Sequence, residues 1–144
     1  AIASRSGGLT LVEISDHREG ASWVADRVRE LAGRWGAQVV IDGGAAAGSL
    51  LPRLGELDVM VLNGRDFAGA CASFYDAVCA SELCHLGDPL LVDGVAGATR
   101  VRRGDRWAWS RKTSGPVITP LCAASLALWG TLSPATVQPA PRVF

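Results

Sequence analysis

The chain is short of three residue types on which many site chemistries depend. Of its 14 basic residues 13 are arginine and Lys112 is the lone lysine; histidine occurs twice, as His17 and His85, and methionine once, as Met60. The two histidines have no HxxxH partner, so a histidine-built zinc site is excluded. No Gly-x-Ser-x-Gly element or cysteine–histidine constellation supports nucleophilic catalysis. The four cysteines (Cys71, Cys79, Cys84, Cys122) form no CxxC pair and no metal-ligand spacing, and they read as reduced, small apolar side chains. No P-loop occurs, and no apolar run approaches the ~18 residues of a membrane span. The opening Ala1-Ile2-Ala3-Ser4-Arg5 is not a signal peptide, and its lack of Met is expected of a chain that begins inside a longer product or after processing. No Asp or Glu occurs from Arg106 onward.

What is present bounds the fold. A length of 144 residues fits one domain, and an apolar share of 49% against 19% charged residues supplies a core without metal or disulfide. The 14 basic residues balance the 14 acidic ones, which argues against nucleic-acid binding through the whole surface but leaves room for a local basic patch.

The hydrophobic periodicity predicts an order of elements. Leu9–Ser15 reads as a strand behind the Gly7-Gly8 turn, with Ala1–Ala3 as the tail of a hairpin partner. Ser22 reads as an N-cap, followed by a helix carrying Trp23, Val24, Val28, Leu31 and Trp35 and stopped by Gly36. Gln38–Asp42 and Asp58–Leu62 read as buried parallel strands, separated by a helix over Ala47–Leu57. A third helix spans Arg65–Ala80 and a short one Leu90–Gly97. Thr99–Arg111 reads as a hairpin about Gly104-Asp105, and Ile118–Trp129 as a last apolar helix. This is α/β with a mixed sheet flanked by helices, over residues 1–132. The segment 133–144, with Pro134, Pro139 and Pro141, is expected to be an extended tail.

Two features could carry chemistry. Asp42 ends an apolar strand just before Gly43-Gly44, which puts a carboxylate at a strand's carboxyl end beside a loop of little bulk, where a divalent metal and a phosphate could approach. The alternative is a strand-terminating Asp that caps the next helix. The run Gly43–Gly48 lacks the order of a dinucleotide loop and reads as a strand-to-helix turn. The second feature is residues 100–112, where Arg100, Arg102, Arg103, Arg106, Arg111 and Lys112 face one acid, Asp105, and interleave with Trp107 and Trp109. The tryptophans read as core and the cations as a surface for phosphate contact of low sequence specificity.

The segments LTLVEISDHREGASWVADRVRELAGRW, VVIDGGAAAGSLLPRL, VLNGRDFAGACASFYDAVCASELCHLGDPLLVDGVAGATR, GDRWAWSRK and ITPLCAASLALWG, in that order, resemble the carboxyl-terminal nuclease domain of terminase large subunits from actinobacterial phages and prophages. The resemblance runs from about Leu9 to Trp129. It implies a ribonuclease-H-like fold and an endonuclease that cleaves concatemeric double-stranded DNA with Mg²⁺ or Mn²⁺ held by three acids. It also implies the bacterial host cytoplasm as location, and the portal and other terminase subunits as partners of the full-length protein. By the resemblance Asp42 is the catalytic and metal-binding acid at the end of the second parallel-type strand. The family's first acid lies on an opening strand upstream of the residues matching Ala1–Ala3, so the first strand is expected to be truncated. The third acid falls near Val117–Pro120, where this chain has no carboxylate. Asp93 and Asp105 are the fallback candidates. A weak or inactive nuclease is therefore expected. The alternatives are a non-catalytic DNA- or portal-binding module of the same fold from a prophage remnant, and a small-molecule α/β domain built on the glycine loop after Asp42.

Overall fold

The computed structural model describes residues 1–133. Two short sheets and a separate hairpin share five helices. Strands β1 (Ile2–Ser6) and β2 (Leu9–Glu13) form an antiparallel pair, with Ile2 opposite Glu13 and Ser6 opposite Leu9. Their turn is made by Gly7 and Gly8, both at positive φ. Helix α1 (Val24–Trp35) follows, then β3 (Val39–Asp42), a 3₁₀ turn (Ala46–Leu50), the single-turn helix α2 (Leu51–Leu54) and β4 (Val59–Leu62). Strands β3 and β4 are parallel, with Asp42 in register with Leu62. Helix α3 (Gly64–Cys79), β5 (Leu83–His85), α4 (Pro89–Gly97), the hairpin β6 (Arg100–Arg103) and β7 (Arg106–Trp109), and α5 (Thr119–Leu132) complete the described chain. Strand β5 joins the first sheet parallel to β2, which makes that sheet mixed in direction.

Local chemistry explains most of these boundaries. The Asn63 carboxamide oxygen accepts from the backbone N–H groups of Arg65 and Asp66 and starts α3. Asp88 does the same for α4 through Leu90 and Leu91, with Pro89 in the first turn. Gly36 ends α1 in the left-handed conformation. The loop before α1 is held from its other end: Asp16 accepts from Arg27 at 2.6 Å and from Arg18 at 2.7 Å, and these hydrogen bonds hold its carboxyl below the ordinary value.

The structure departs from the sequence reading at several points. The predicted single mixed sheet is divided: β1-β2-β5, β3-β4 and β6-β7 are three separate sheets. Ser22 caps nothing; α1 begins at Val24, and Trp23 occupies the cap position without a side-chain bond. The helix predicted over Ala47–Leu57 is a 3₁₀ turn running into one helical turn, because Pro52 allows a start but the Gly55 that follows, at φ 58°, ends it. Strand β4 is not buried on both faces: Val61 is 49% exposed. Strand β5 has no counterpart in the sequence reading. Its residues Leu83, Cys84 and His85 show no alternation of their own, and they are extended because Thr10, Leu11 and Val12 pair with them. Of the predicted tail, the part from Pro134 lies outside the described residues.

The core has two parts. The larger brings together Val12, Phe67, Cys71, Phe74, Leu91, Trp109, Leu121 and Leu128, among others, from β2, α3, α4, β7 and α5. The smaller is Ala25, Ile41 and Leu54, between α1, β3 and α2. Helix α5 carries no charged residue and buries Pro120, Leu121, Cys122, Ala124, Ser125 and Leu128, with most of its other residues half-buried. It packs on β1 and β2 of one sheet and on β3 of the other. Gly130 permits the second contact, since a Cβ there would lie 2.8 Å from Val40 Cγ2. Among the described residues, no helix is long and apolar enough to cross a membrane.

Candidate functional site

Asp42 is the last residue of β3 and lies where the two parallel strands end together. Its side chain is only 6% exposed. Oδ1 accepts from the Gly44 backbone N–H at 3.0 Å, and Oδ2 accepts from Arg111 Nη2 at 3.1 Å. The bond to Gly44 is a local turn that folds the chain back over the strand end. The helical segment that follows starts at Ala46 without a side-chain cap, so the capping alternative for Asp42 does not describe its contacts.

The glycine run beside it serves close packing. A Cβ on Gly43 would lie 2.7 Å from Val61 Cγ1, and one on Gly48 would lie 2.7 Å from the Gly43 carbonyl oxygen. These residues are small because strand and loop touch there. Neither adopts a positive φ, so nothing in their backbone forms the left-handed cradle of a phosphate loop.

Arg111 reaches Asp42 from the segment after β7. Its guanidinium also lies over the Phe67 ring, 4.8 Å from the centroid. The preceding Ser110 is buried and braces the turn: its N–H donates to Thr99 O at 2.8 Å, and its Oγ accepts from Thr113 N at 3.2 Å. Cys71 and Cys122 lie in the adjoining core. Burial pushes the Cys71 thiol up to about 12, and burial likewise raises Cys122.

The remaining cations lie on and beside the hairpin. All four residues of β6 are exposed, whereas β7 turns Ala108 and Trp109 into the core. Trp109 is fixed by a 3.0 Å bond from its Nε1 to Ser125 Oγ. Arg100 stacks on Tyr75 at 4.2 Å and on Trp107 at 4.4 Å. Arg103 faces Arg106 across the hairpin, like charge opposite like charge, next to the Gly104 turn. Arg102 Nε donates to Gly104 O at 3.2 Å. Among the described residues, Arg100, Arg102, Arg103, Arg106 and Lys112 form no ion pair.

The structure thus brings Arg111 to Asp42 and gathers Arg100, Arg102, Arg103 and Arg106 on one hairpin. Asp93 is exposed on α4 and Asp105 is exposed at the hairpin turn, and neither bonds to Asp42. Among the described residues, no three His, Cys, Asp or Glu side chains cluster as a metal site would require. Sequence reasoning missed the Asp42–Arg111 pair, which spans 69 positions; Arg111 read as one more solvated cation of its run.

Set against known protein families, curated proteins and solved structures, the chain matches none.

Proposed function

We propose that this chain is a ribonuclease-H-like domain of the kind found in phage packaging terminases, weak or inactive as a nuclease, and that it engages double-stranded DNA. The observation that carries the reading is the position of Asp42: a buried carboxylate at the carboxyl end of a parallel strand. In open α/β sheets ligand sites form at such ends. The hairpin cations add a surface for a phosphate backbone. The elements run hairpin, helix, strand, helix, strand and helix in mixed α/β order, in three separate sheets rather than one.

The donor set does not fit the Mg²⁺ or Mn²⁺ that such a nuclease uses. Mg²⁺ needs near-octahedral oxygen coordination, commonly from one or two carboxylates together with waters and substrate phosphates. Both oxygens of Asp42 already accept hydrogen bonds, one of them from a guanidinium, and no cluster of further ligands joins them among the described residues. These residues therefore support no step through a metal. The same observation favours a second reading: a module of the same fold that holds DNA, or docks on the portal, without cutting.

Two measurements on one sample separate the readings. In the first, binding to a fluorescent DNA duplex is followed across salt concentration. Arg102→Ala and Arg103→Ala should each flatten the salt dependence by about 0.9 in log–log slope. In the second, plasmid DNA is incubated with Mn²⁺. Cleavage that disappears with Asp42→Asn supports the nuclease; salt-sensitive binding without cleavage supports the holding module. Absence of both would overturn the DNA reading and leave the small-molecule domain.

A further inference from the structure

We infer that Arg111 is a built-in cation at Asp42: its guanidinium takes the place at which a divalent ion would have to sit, and makes the carboxylate a structural tie. The inference rests on the proposed function, which makes Asp42 the counterpart of a nuclease carboxylate.

Four observations carry it. Arg111 Nη2 lies 3.1 Å from Oδ2, and the carboxylate is almost fully withdrawn from water, with 6% of the side chain exposed. The other oxygen is committed to Gly44 N–H at 3.0 Å, so each oxygen of Asp42 has a protein donor. Arg111 is held from a second direction by the Phe67 ring at 4.8 Å. The residue before it, Ser110, is fixed in turn: its carbonyl oxygen accepts from Ser114 Oγ at 2.6 Å and its Oγ accepts from Thr113 N at 3.2 Å. A surface arginine free to swing would yield to an arriving ion, whereas one stacked and braced in this way is pre-organised for its partner.

Charge leads to the same assignment. One carboxylate and one guanidinium sum to zero, and a buried charge must be paired in this way to be tolerated. A divalent cation at bonding distance from Asp42 would lie against the guanidinium, and the repulsion would require Arg111 to leave first. Removing Arg111 would strand Asp42 in a poorly solvated place and give it an appetite for any available cation. The pair also spans the molecule: Asp42 belongs to the sheet of the smaller core, and Arg111 stacks on a residue of the larger one.

The test uses the chain as it stands, with Mn²⁺ alone as the probe. Paramagnetic broadening of backbone amide signals is recorded for the wild-type chain, Arg111→Gln, and Arg111→Gln combined with Asp42→Asn. In the wild-type protein, Gly43 and Gly44 should broaden no more than exposed residues elsewhere. In Arg111→Gln their broadening should saturate, with affinity raised about tenfold or more, the scale on which a neighbouring group changes metal affinity. In the double variant the gain should vanish. Selective, saturable broadening at Gly43 and Gly44 in the wild-type protein would overturn the inference, as would a folded Arg111→Gln with no gain. Should Arg111→Gln fail to fold, the wild-type spectrum still decides. Duplex binding in EDTA, measured on the same samples, tests the other reading separately. Its loss would remove DNA as the partner and leave Arg111 as assigned, whereas Mn²⁺ on wild-type Asp42 would do the reverse.

Discussion

Arg111 and Asp42 are joined over 3.1 Å although 69 positions separate them in the chain, and they differ sharply in exposure: the arginine side chain is 43% exposed and the aspartate 6%. That asymmetry decides what each substitution does. Arg111→Ala leaves an anion in a place with little water, while Asp42→Asn keeps an acceptor for Gly44 N–H and frees an arginine that water can solvate. Arg111→Ala should therefore cost the more, about 1–3 kcal/mol after allowing for the exposure of the arginine. Asp42→Asn should cost less, and the double variant less than the two added. Thermal unfolding of the three proteins checks the ranking; an Asp42→Asn that melted well below Arg111→Ala would contradict it.

Gly48 and Gly33 should respond to alanine in opposite directions. At Gly48 the new methyl would lie 2.7 Å from a backbone oxygen that cannot swing aside, so Gly48→Ala should destabilise by about 1–3 kcal/mol and disturb the loop that carries Gly44. At Gly33, exposed within α1 with nothing within 4 Å, the same change should stabilise by about 0.5–1 kcal/mol. Urea titration with a tryptophan signal reads both changes.

Ser125 is fully buried and joins α5 to the hairpin: it accepts from Trp109 Nε1 at 3.0 Å and donates to Leu121 O at 2.9 Å. Ser125→Ala strands the indole N–H and should cost about 1–3 kcal/mol. Ser125→Thr, which keeps the hydroxyl, should recover part of that, unless its extra methyl overfills the site. Near-ultraviolet circular dichroism of the tryptophans would register the loss alongside the melting curve.

The thiols should divide into two classes. Cys79 is exposed and Cys84 half-buried, while Cys71 and Cys122 are buried with raised pKa values. With Cys71 at about 12, almost none of it is thiolate at pH 8, and the thiolate is the reactive form. A colorimetric thiol reagent at that pH should modify Cys79 first and Cys84 more slowly. Cys71 and Cys122 should react only after denaturant is added. Labelling of Cys71 in the native protein, mapped by mass spectrometry, would contradict this burial.

The parts of the fold that were legible in the sequence are those fixed by local chemistry. The Gly7-Gly8 hairpin turn, the stop at Gly36 and the hairpin about Gly104 each depend on a residue whose backbone decides the conformation within a turn of itself. The parallel pairing of β3 and β4 was legible because two short β-branched runs flank a helical segment. Strand β5 was not, since only β2 makes it a strand, and no local pattern announces a partner about seventy residues away. At the candidate site, Asp42 stood out by its place at a strand end, and the hairpin arginines by their density. The role of Arg111 did not, because an arginine two residues beyond Trp109 looks the same whether it meets water or a carboxylate.

The strands β1 and β3 each pair on one side only among the described residues, and α5 lies against both of their sheets. In many α/β domains the slowest amide exchange belongs to central strands paired on both sides; among the described residues only β2 has that status. The helix that backs both sheets takes over much of that part. Neither sheet can peel away without baring one flank of α5, which has no polar face to offer water. Opening of either half should therefore bring opening of the whole, and the last amide protons to exchange should belong to α5 as well as to β2.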